Sequence, residues 1–199
     1  MQRGSRLRRE VALTFDDGPG EGTAAVLDAL AALHLPATFF VIGQQVPERA
    51  HLLARMAAEG HEVGVHAWEH PDLAEHPERA GEEIDRCAAA VREAAGRAPR
   101  LFRPPLGAWT RAVVETARER GLTTVLWDVN PHDYAGGGAT ADGIAAEVLG
   151  TAGRGSIVLL HDGDGYNPDG DRMQTAAALP HIIDRLKDQG YEFATLPTE

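Results

Sequence analysis

Four groups of residues in this chain are able to do chemistry together: the adjacent carboxylates Asp16 and Asp17, the pair His66 and His70, Arg103, and His161. The carboxylates stand in Thr14-Phe15-Asp16-Asp17-Gly18-Pro19, where an apolar run stops and glycine and proline turn the chain. Alone, that is only a turn. Neighbouring carboxylates in regular strand geometry point to opposite faces, so Asp16 and Asp17 suit two different tasks better than one shared task. Their adjacency also fits poorly with an Asp-x-Asp phosphatase.

His66-Ala67-Trp68-Glu69-His70 sets two imidazoles at i and i+4, a spacing from which both reach one ion. Glu69 precedes the second histidine instead of following the first, which is not the His-Glu-x-x-His order of zinc proteases. One aspartate added to two histidines gives three protein ligands and leaves a position for water, the pattern of a catalytic zinc site. Arg103-Pro104-Pro105-Leu106-Gly107 and Leu159-Leu160-His161-Asp162 are bland by themselves, since a buried structural arginine or a core histidine accounts for either.

The elements that must position these groups are legible as alternation. Short apolar or β-branched runs at 11–15, 37–42, 62–66, 101–103, 123–127, 156–161 and 193–196 predict seven strands. Between them, sets such as Val26, Leu27, Leu30 and Leu33, or Leu179, Ile182, Ile183 and Leu186, predict amphipathic helices. Gly60, Gly96, Gly121 and Gly190 mark helix ends, and Pro47 and Pro77 mark starts. The pattern predicts a parallel sheet clothed in helices, either a (β/α) barrel or an open doubly wound sheet. Asp16-Asp17, His66, Arg103, Asp128, Asn130 and His161 all fall where a predicted strand stops, the edge that carries the active site in parallel α/β folds. The Gly-rich stretches 135–138 and 162–170 read as mobile surface loops.

With 199 residues, 43% of them hydrophobic, the chain buries one substantial core, so residues 10–199 read as a single domain. Residues 1–9, with Arg3, Arg6, Arg8 and Arg9, read as a flexible basic extension. A formal charge of −11 argues against nucleic acid or an anionic membrane as partner. The lone Cys87 cannot pair within the chain and, beside Ile84, Ala88 and Val91, reads as a small buried hydrophobe. No run reaches the length of a secretion signal or a membrane span, so the chain as given is expected in the cytoplasm, or in the cell envelope if a leader has been removed. Oligomeric state is left open.

Together these motifs resemble the polysaccharide deacetylase family, the carbohydrate esterases of family 4 that share the NodB homology domain. The resemblance spans about residues 10 to 197 and includes the closing pattern Arg172-Met173-Gln174-Thr175 through Gly190-Tyr191. It implies a distorted (β/α)7 barrel and hydrolysis of N-acetyl groups on chitooligosaccharide, peptidoglycan or a similar acetylated sugar. It makes Asp16 the general base, oriented by Arg103, His161 the general acid, and Asp17, His66 and His70 the ligands of one divalent ion. Zinc suits that set first, and cobalt or nickel also suit it. The backbone N–H of Leu106 would help hold the oxyanion and Leu159 would line the acetyl pocket; Gly107, Tyr134 and, from its place beside the arginine motif, Trp109 are further candidates to contact substrate, with Trp127 left to core packing.

Such an ion both polarises an amide carbonyl and acidifies water, leaving proton transfer to Asp16 and His161. Three of the motifs depart from the family pattern. Ala67 replaces a hydroxyl residue between the histidines, and Leu106 replaces a tyrosine. Asn130 and Tyr134 stand where aspartate and tryptophan are usual, so Asn130 would accept from Arg103 without charge, and either Asp128 or Asp133 would compensate. Two rival readings keep the fold: an N-deacetylase of one small acetylated sugar or biosynthetic intermediate, and a non-catalytic carbohydrate-binding relative, against which the intact Asp16 and His161 count.

Overall fold

The computed structural model describes residues 1–5, 7–134, 139–167 and 170–196; the stretch 135–138, expected as a mobile loop, lies outside them. Seven parallel strands form one sheet: β1 (Glu10–Asp16), β2 (Thr38–Ile42), β3 (Glu62–Ala67), β4 (Leu101–Phe102), β5 (Thr123–Thr124), β6 (Ser156–His161) and β7 (Glu192–Phe193). Their order is β5-β4-β3-β2-β1-β6, with β7 beside the first residues of β1. Among the described residues six α-helices lie between or after them: α1 (Thr23–Ala32), α2 (Val46–Ala58), α3 (Ala80–Ala95), α4 (Arg111–Glu119), α5 (Ala141–Thr151) and α6 (Met173–Asp188). α2 and α3 run out near Gly60 and Gly96, whose φ values of 84° and 70° are left-handed and strain any other residue.

Strand alternation splits the apolar residues into two cores. Val11, Leu13, Phe15, Phe39, Val65 and Leu160 face outward into the helix layer, against Leu27 and Leu30 of α1 and Leu179, Ile182 and Ile183 of α6. Ala12, Phe40, Leu101, Val125, Ile157 and Leu196 face inward, with Trp127 against them. The sheet curls until its edges approach. After β5 the chain leaves β4, where Val125 N–H donates to Phe102 O at 2.8 Å, and reaches β6, where Leu159 N–H donates to Val129 O at 2.9 Å. The single bridge Val129–Val158 completes the distorted barrel.

That crossing shortens the fifth strand from the expected 123–127 to Thr123–Thr124, because residues changing neighbours cannot keep one ladder. The last strand is likewise Glu192–Phe193 and not 193–196. From Thr14 onward that edge of β1 is taken by β2, so β7 pairs only with Glu10 and Val11. Residues 1–5, expected to be flexible, are anchored. The N-terminal ammonium donates to Thr124 O at 2.6 Å, Gly4 N–H to Gly155 O at 2.7 Å, and Arg3 Nε lies 3.1 Å from Asp128. Cys87 is fully buried, as its neighbours suggest, and burial pushes its thiol up to about 12. No described helix is long and apolar enough to cross a membrane.

Candidate metal centre and active site

Period two along the strands brings the chemistry to one place. The inward register that carries Ala12 and Thr14 ends at Asp16; on β6 it carries Ile157 and Leu159 and ends at His161. Asp16 and His161 are register partners in adjacent strands. His66 sits near the end of β3, and Arg103 immediately follows β4. Asp17 should by strand geometry point the other way, but it has left the strand at φ 72°, a left-handed conformation that aspartate tolerates better than most residues. Both carboxylates therefore line the same cavity, about 320 Å³, with His66, His70 and His161.

Asp17 Oδ1 lies 3.3 Å from His66 Nε2 and 3.4 Å from His70 Nε2, and the three ligand atoms fall within 4.8 Å of one another. Donors about 2.0–2.1 Å from a tetrahedral ion are separated by about 3.4 Å, so these spacings suit a zinc-sized dication. Two further observations agree. Asp17 Oδ1 is buried without a properly oriented hydrogen bond, and His66 Nδ1 donates to Arg103 O at 2.7 Å, which fixes the tautomer that presents Nε2. Burial opposes ionisation of Asp17, but His66, His161 and His70 hold its carboxyl far below the usual carboxylate range. Burial also lowers His70, keeping it neutral as ligation requires, whereas at His66 burial is outweighed by Asp16 and Asp17 and the pKa rises.

Arg103 is completely buried and aims Asp16. Its Nη1 donates to Asp16 Oδ1 at 2.7 Å and to Thr14 Oγ1 at 2.8 Å, and its Nη2 to Leu126 O at 3.2 Å. Phe40 lies under the guanidinium at 4.2 Å and Trp127 at 5.6 Å. With Oδ1 so held, Asp16 Oδ2 stands 4.0 Å from His66 Nε2, beside the ligand cluster but outside its tightest contacts.

Asn130 does not accept from Arg103 as expected. Its Oδ1 takes the backbone N–H of His132 at 2.9 Å, which leaves the amide on the cavity wall. Neither nearby aspartate compensates there. Asp128 is drawn to the other end of β6, accepting from Ile157 N–H at 2.7 Å and Ser156 Oγ at 3.0 Å. Asp133 instead grips His161: Oδ1 meets the imidazole Nδ1 at 2.7 Å, and Oδ2 accepts the His161 backbone N–H at 2.8 Å. Thr175 and Gln174, from the closing pattern, hold Asp133 in turn at 2.7 and 3.1 Å. Nothing in the local spacing announces this His–Asp pair, because its members come from different segments that meet only in the curled sheet.

Burial would lower His161, but the Asp133 charge and hydrogen bond outweigh it, with smaller help from Asp17 and Asp16, and its pKa stands at about 9. Replacing Asp133 with asparagine is therefore expected to bring the alkaline fall in activity down toward the ordinary histidine value of about 6.5. The stabilisation from this raised pKa is complete below the unfolded value of about 6.5 and disappears as pH rises through about 9, so the variant should lose stability most at low pH. Rate and urea-unfolding profiles from pH 6 to 10 check both; unchanged profiles would detach Asp133 from the titration.

The remaining expected contacts divide. Leu106, Gly107, Tyr134 and Leu159 line the cavity, with the Tyr134 ring 5.1 Å from His161. Leu106 adopts φ 61°, and any side chain at Gly107 would strike Trp127, a Cβ coming within 2.6 Å of its ring. Trp109 faces a separate depression with Val114 and Leu122, while Trp127, expected as core, lines the cavity shared by Asp16, Asp17 and the histidines. Trp127 reaches the cavity because it lies on the segment that crosses inward to β6, whereas Trp109 stays half-exposed away from it. Asp164, Tyr166 and Arg172 also line the cavity and were not anticipated from the sequence.

The sequence model of the polysaccharide deacetylase family matches residues 3–125. A chitooligosaccharide deacetylase of Bradyrhizobium sp. (strain ANU 289) is 43% identical over 200 residues, covering 95% of this chain and 90% of the relative. A peptidoglycan N-acetylglucosamine deacetylase crystallised with 4-naphthalen-1-yl-N-oxidanyl-benzamide superposes with TM-score 0.91 at 35% identity, over 99% of this chain and 90% of that one. A family 4 acetyl xylan esterase from Clostridium thermocellum, in complex with a cobalt ion, gives TM-score 0.85 at 35% identity, over 94% and 87% of the two chains. By a family match over more than half its length and close relatives matched nearly end to end, this chain belongs to the polysaccharide deacetylase family.

Proposed function

We propose that the protein hydrolyses the N-acetyl group of an acetylated amino sugar, a chitooligosaccharide or peptidoglycan glycan, with zinc as the ion at Asp17, His66 and His70. One observation carries this reading. A three-ligand cluster shares a single cavity with a carboxylate locked to a buried arginine, Asp16–Arg103, and an imidazole locked to a buried carboxylate, His161–Asp133.

The ion, when bound, supplies Lewis acidity toward the amide carbonyl and lowers the pKa of water. The chain's residues do the rest. Asp16 keeps Oδ1 on Arg103 and offers Oδ2 to take the proton of the attacking water. His161, protonated on both ring nitrogens below about pH 9, keeps Nδ1–H on Asp133 and gives the Nε2 proton to the departing amine. The two pairs thus set an acceptor and a donor of protons on the same cavity, each oriented by a buried partner. The backbone N–H of Leu106 is the donor to the developing oxyanion. Leu159, nearly buried on the cavity floor, receives the acetyl methyl, and Trp127, Tyr134 and Leu106 give the sugar an apolar wall.

Acetate release from a panel of N-acetylated sugars, monomer to hexamer, tests this. Chelation is expected to abolish release, and Zn²⁺ or Co²⁺ to restore it. Rates rising with chain length support a glycan polymer, and a preference for one monomer supports a small-sugar N-deacetylase. Acetate release that persists undiminished after the metal has been removed and assayed as absent overturns the reading.

A further inference from the structure

His66 and His70 present Nε2 to Asp17 at nearly equal distances, yet they are held differently. The second nitrogen of His66 is fixed on Arg103 O, whereas His70 Nδ1 is buried and has no hydrogen-bond partner among the described residues. A ligating imidazole is ordinarily oriented through that second nitrogen. His70 is oriented by packing instead. One neighbour is the His66 ring, with centroids 5.3 Å apart. Two more, Gly165 and Tyr166, come from residues 162–167, part of the stretch 162–170 read from the sequence as a mobile surface loop.

These residues lie against the ligands one after another. Asp162 Oδ2 sits where a Cβ on Gly18 would come to 2.3 Å, and it accepts from Thr23 Oγ1 at 2.6 Å. Gly163 presses on the backbone of Asp17 so closely that its own Cβ would lie 2.3 Å from Asp17 O. A Cβ on Gly165 would come within 2.7 Å of the His70 ring, and the Tyr166 ring stands edge-on to it at 5.0 Å and 74°. Asp164 closes the turn, its Oδ1 accepting from Tyr166 N–H at 2.9 Å and Asn167 N–H at 3.2 Å. Its Oδ2 accepts from Arg172 Nη2 at 2.9 Å, and the two side chains are only 23% and 12% exposed. Arg172 stands at the head of α6, its carbonyl accepting from Thr175 N–H at 3.0 Å, so the ion pair ties the turn to a helix packed in the core.

We propose that residues 162–167 are a positioning strap for the metal ligands Asp17 and His70, with Gly163 and Gly165 as its contact points and the Asp164–Arg172 ion pair as its tie. The inference rests on the metal-site reading above. Releasing the tie frees Gly165 and Tyr166 to lift from His70, whose ring then loses the contacts that these two residues make with it. The two glycines are required because a methyl group at either position would push a ligand out of place.

The test measures Zn²⁺ affinity of the full chain by competition with a chromophoric chelator, the visible spectrum of the Co²⁺ form, and the melting temperature of the metal-free protein. Arg172→Met and Gly165→Ala are each expected to weaken Zn²⁺ about 10–100-fold and to alter the cobalt spectrum, the cost typical of removing an orienting partner. Arg172→Lys should retain most of the affinity. Metal-free melting should stay within a few degrees of wild type. Unchanged affinity and spectrum in both variants would overturn the strap. So would losses of affinity that merely track a fall in metal-free melting temperature, which would make the segment structural only. A wild-type chain that binds no Zn²⁺ would overturn the metal-site reading itself, a distinct outcome.

Discussion

Replacing Asp16 with asparagine is expected to lower turnover by about 10²–10⁴-fold while metal content stays at the wild-type level. The size follows from the role: an amide cannot accept the proton of water, and the remaining cavity still binds and orients the substrate. The metal is retained because Asp16 Oδ2 stands 4.0 Å from the nearer imidazole, against 3.3 and 3.4 Å for Asp17. A second effect accompanies the first. Asp16 is the carboxylate paired with Arg103, a guanidinium with no exposure, so asparagine leaves a buried charge uncompensated. Breaking such a pair from one side costs about 3–5 kcal/mol. Acetate release, metal analysis and urea unfolding on the same preparation check the three parts. Turnover equal to wild type would remove Asp16 from proton transfer.

Asp17→Asn, one residue along, is expected to give the opposite metal result. The carboxyl of Asp17 is held ionised by the surrounding imidazoles and is the only anionic member of the three-ligand cluster. An amide in its place removes the charge that favours a dication, so Zn²⁺ affinity should fall by more than the ~100-fold typical of losing a supporting partner, and activity should fall to background with it. Saturating Zn²⁺ should recover part of the activity of this variant and none of the activity of Asp16→Asn. Chelator competition reads the affinity, and rates at rising Zn²⁺ read the recovery. A variant that binds Zn²⁺ as tightly as wild type would exclude Asp17 as a ligand. On the proposed reading two adjacent aspartates divide base and ligand roles, and the structure allows it because a single left-handed residue sends the second side chain into the cavity beside the first.

The proposed substrate contacts are fewer. Leu106 and Tyr134 line the cavity at the positions where the chain departs from the family pattern, while Asn130, turned back on His132, leaves Arg103 bound to Asp16, Thr14 and Leu126. On the proposed reading the changes at Leu106 and Tyr134 bear on how a sugar fits the wall, and the change at Asn130 leaves the Asp16–Arg103 pair intact.

The order of the motifs, the i and i+4 histidines, the alternation of apolar strands with amphipathic helices and the placement of polar residues at strand ends are properties of the covalent chain, and they determined a parallel α/β sheet with the candidate residues gathered at one of its edges, whereas the turning of Asp17 toward the two histidines came from its left-handed backbone. Periodicity suffices there, since a parallel strand of known direction already fixes which end its last residue occupies. Partner choice is another matter. That Asp133 takes His161, that Asp128 goes instead to Ser156, Ile157 and Arg3, and that Trp127 and not Trp109 reaches the cavity were decided only when the sheet curled and residues 125–129 crossed from β4 to β6. The same holds for residues 162–167, whose glycines read as freedom along the chain and act in the fold as clearance, letting backbone lie directly against Asp17 and His70. Hydrogen bonds and close contacts between distant segments depend on distances that tertiary packing sets, and no local spacing encodes them.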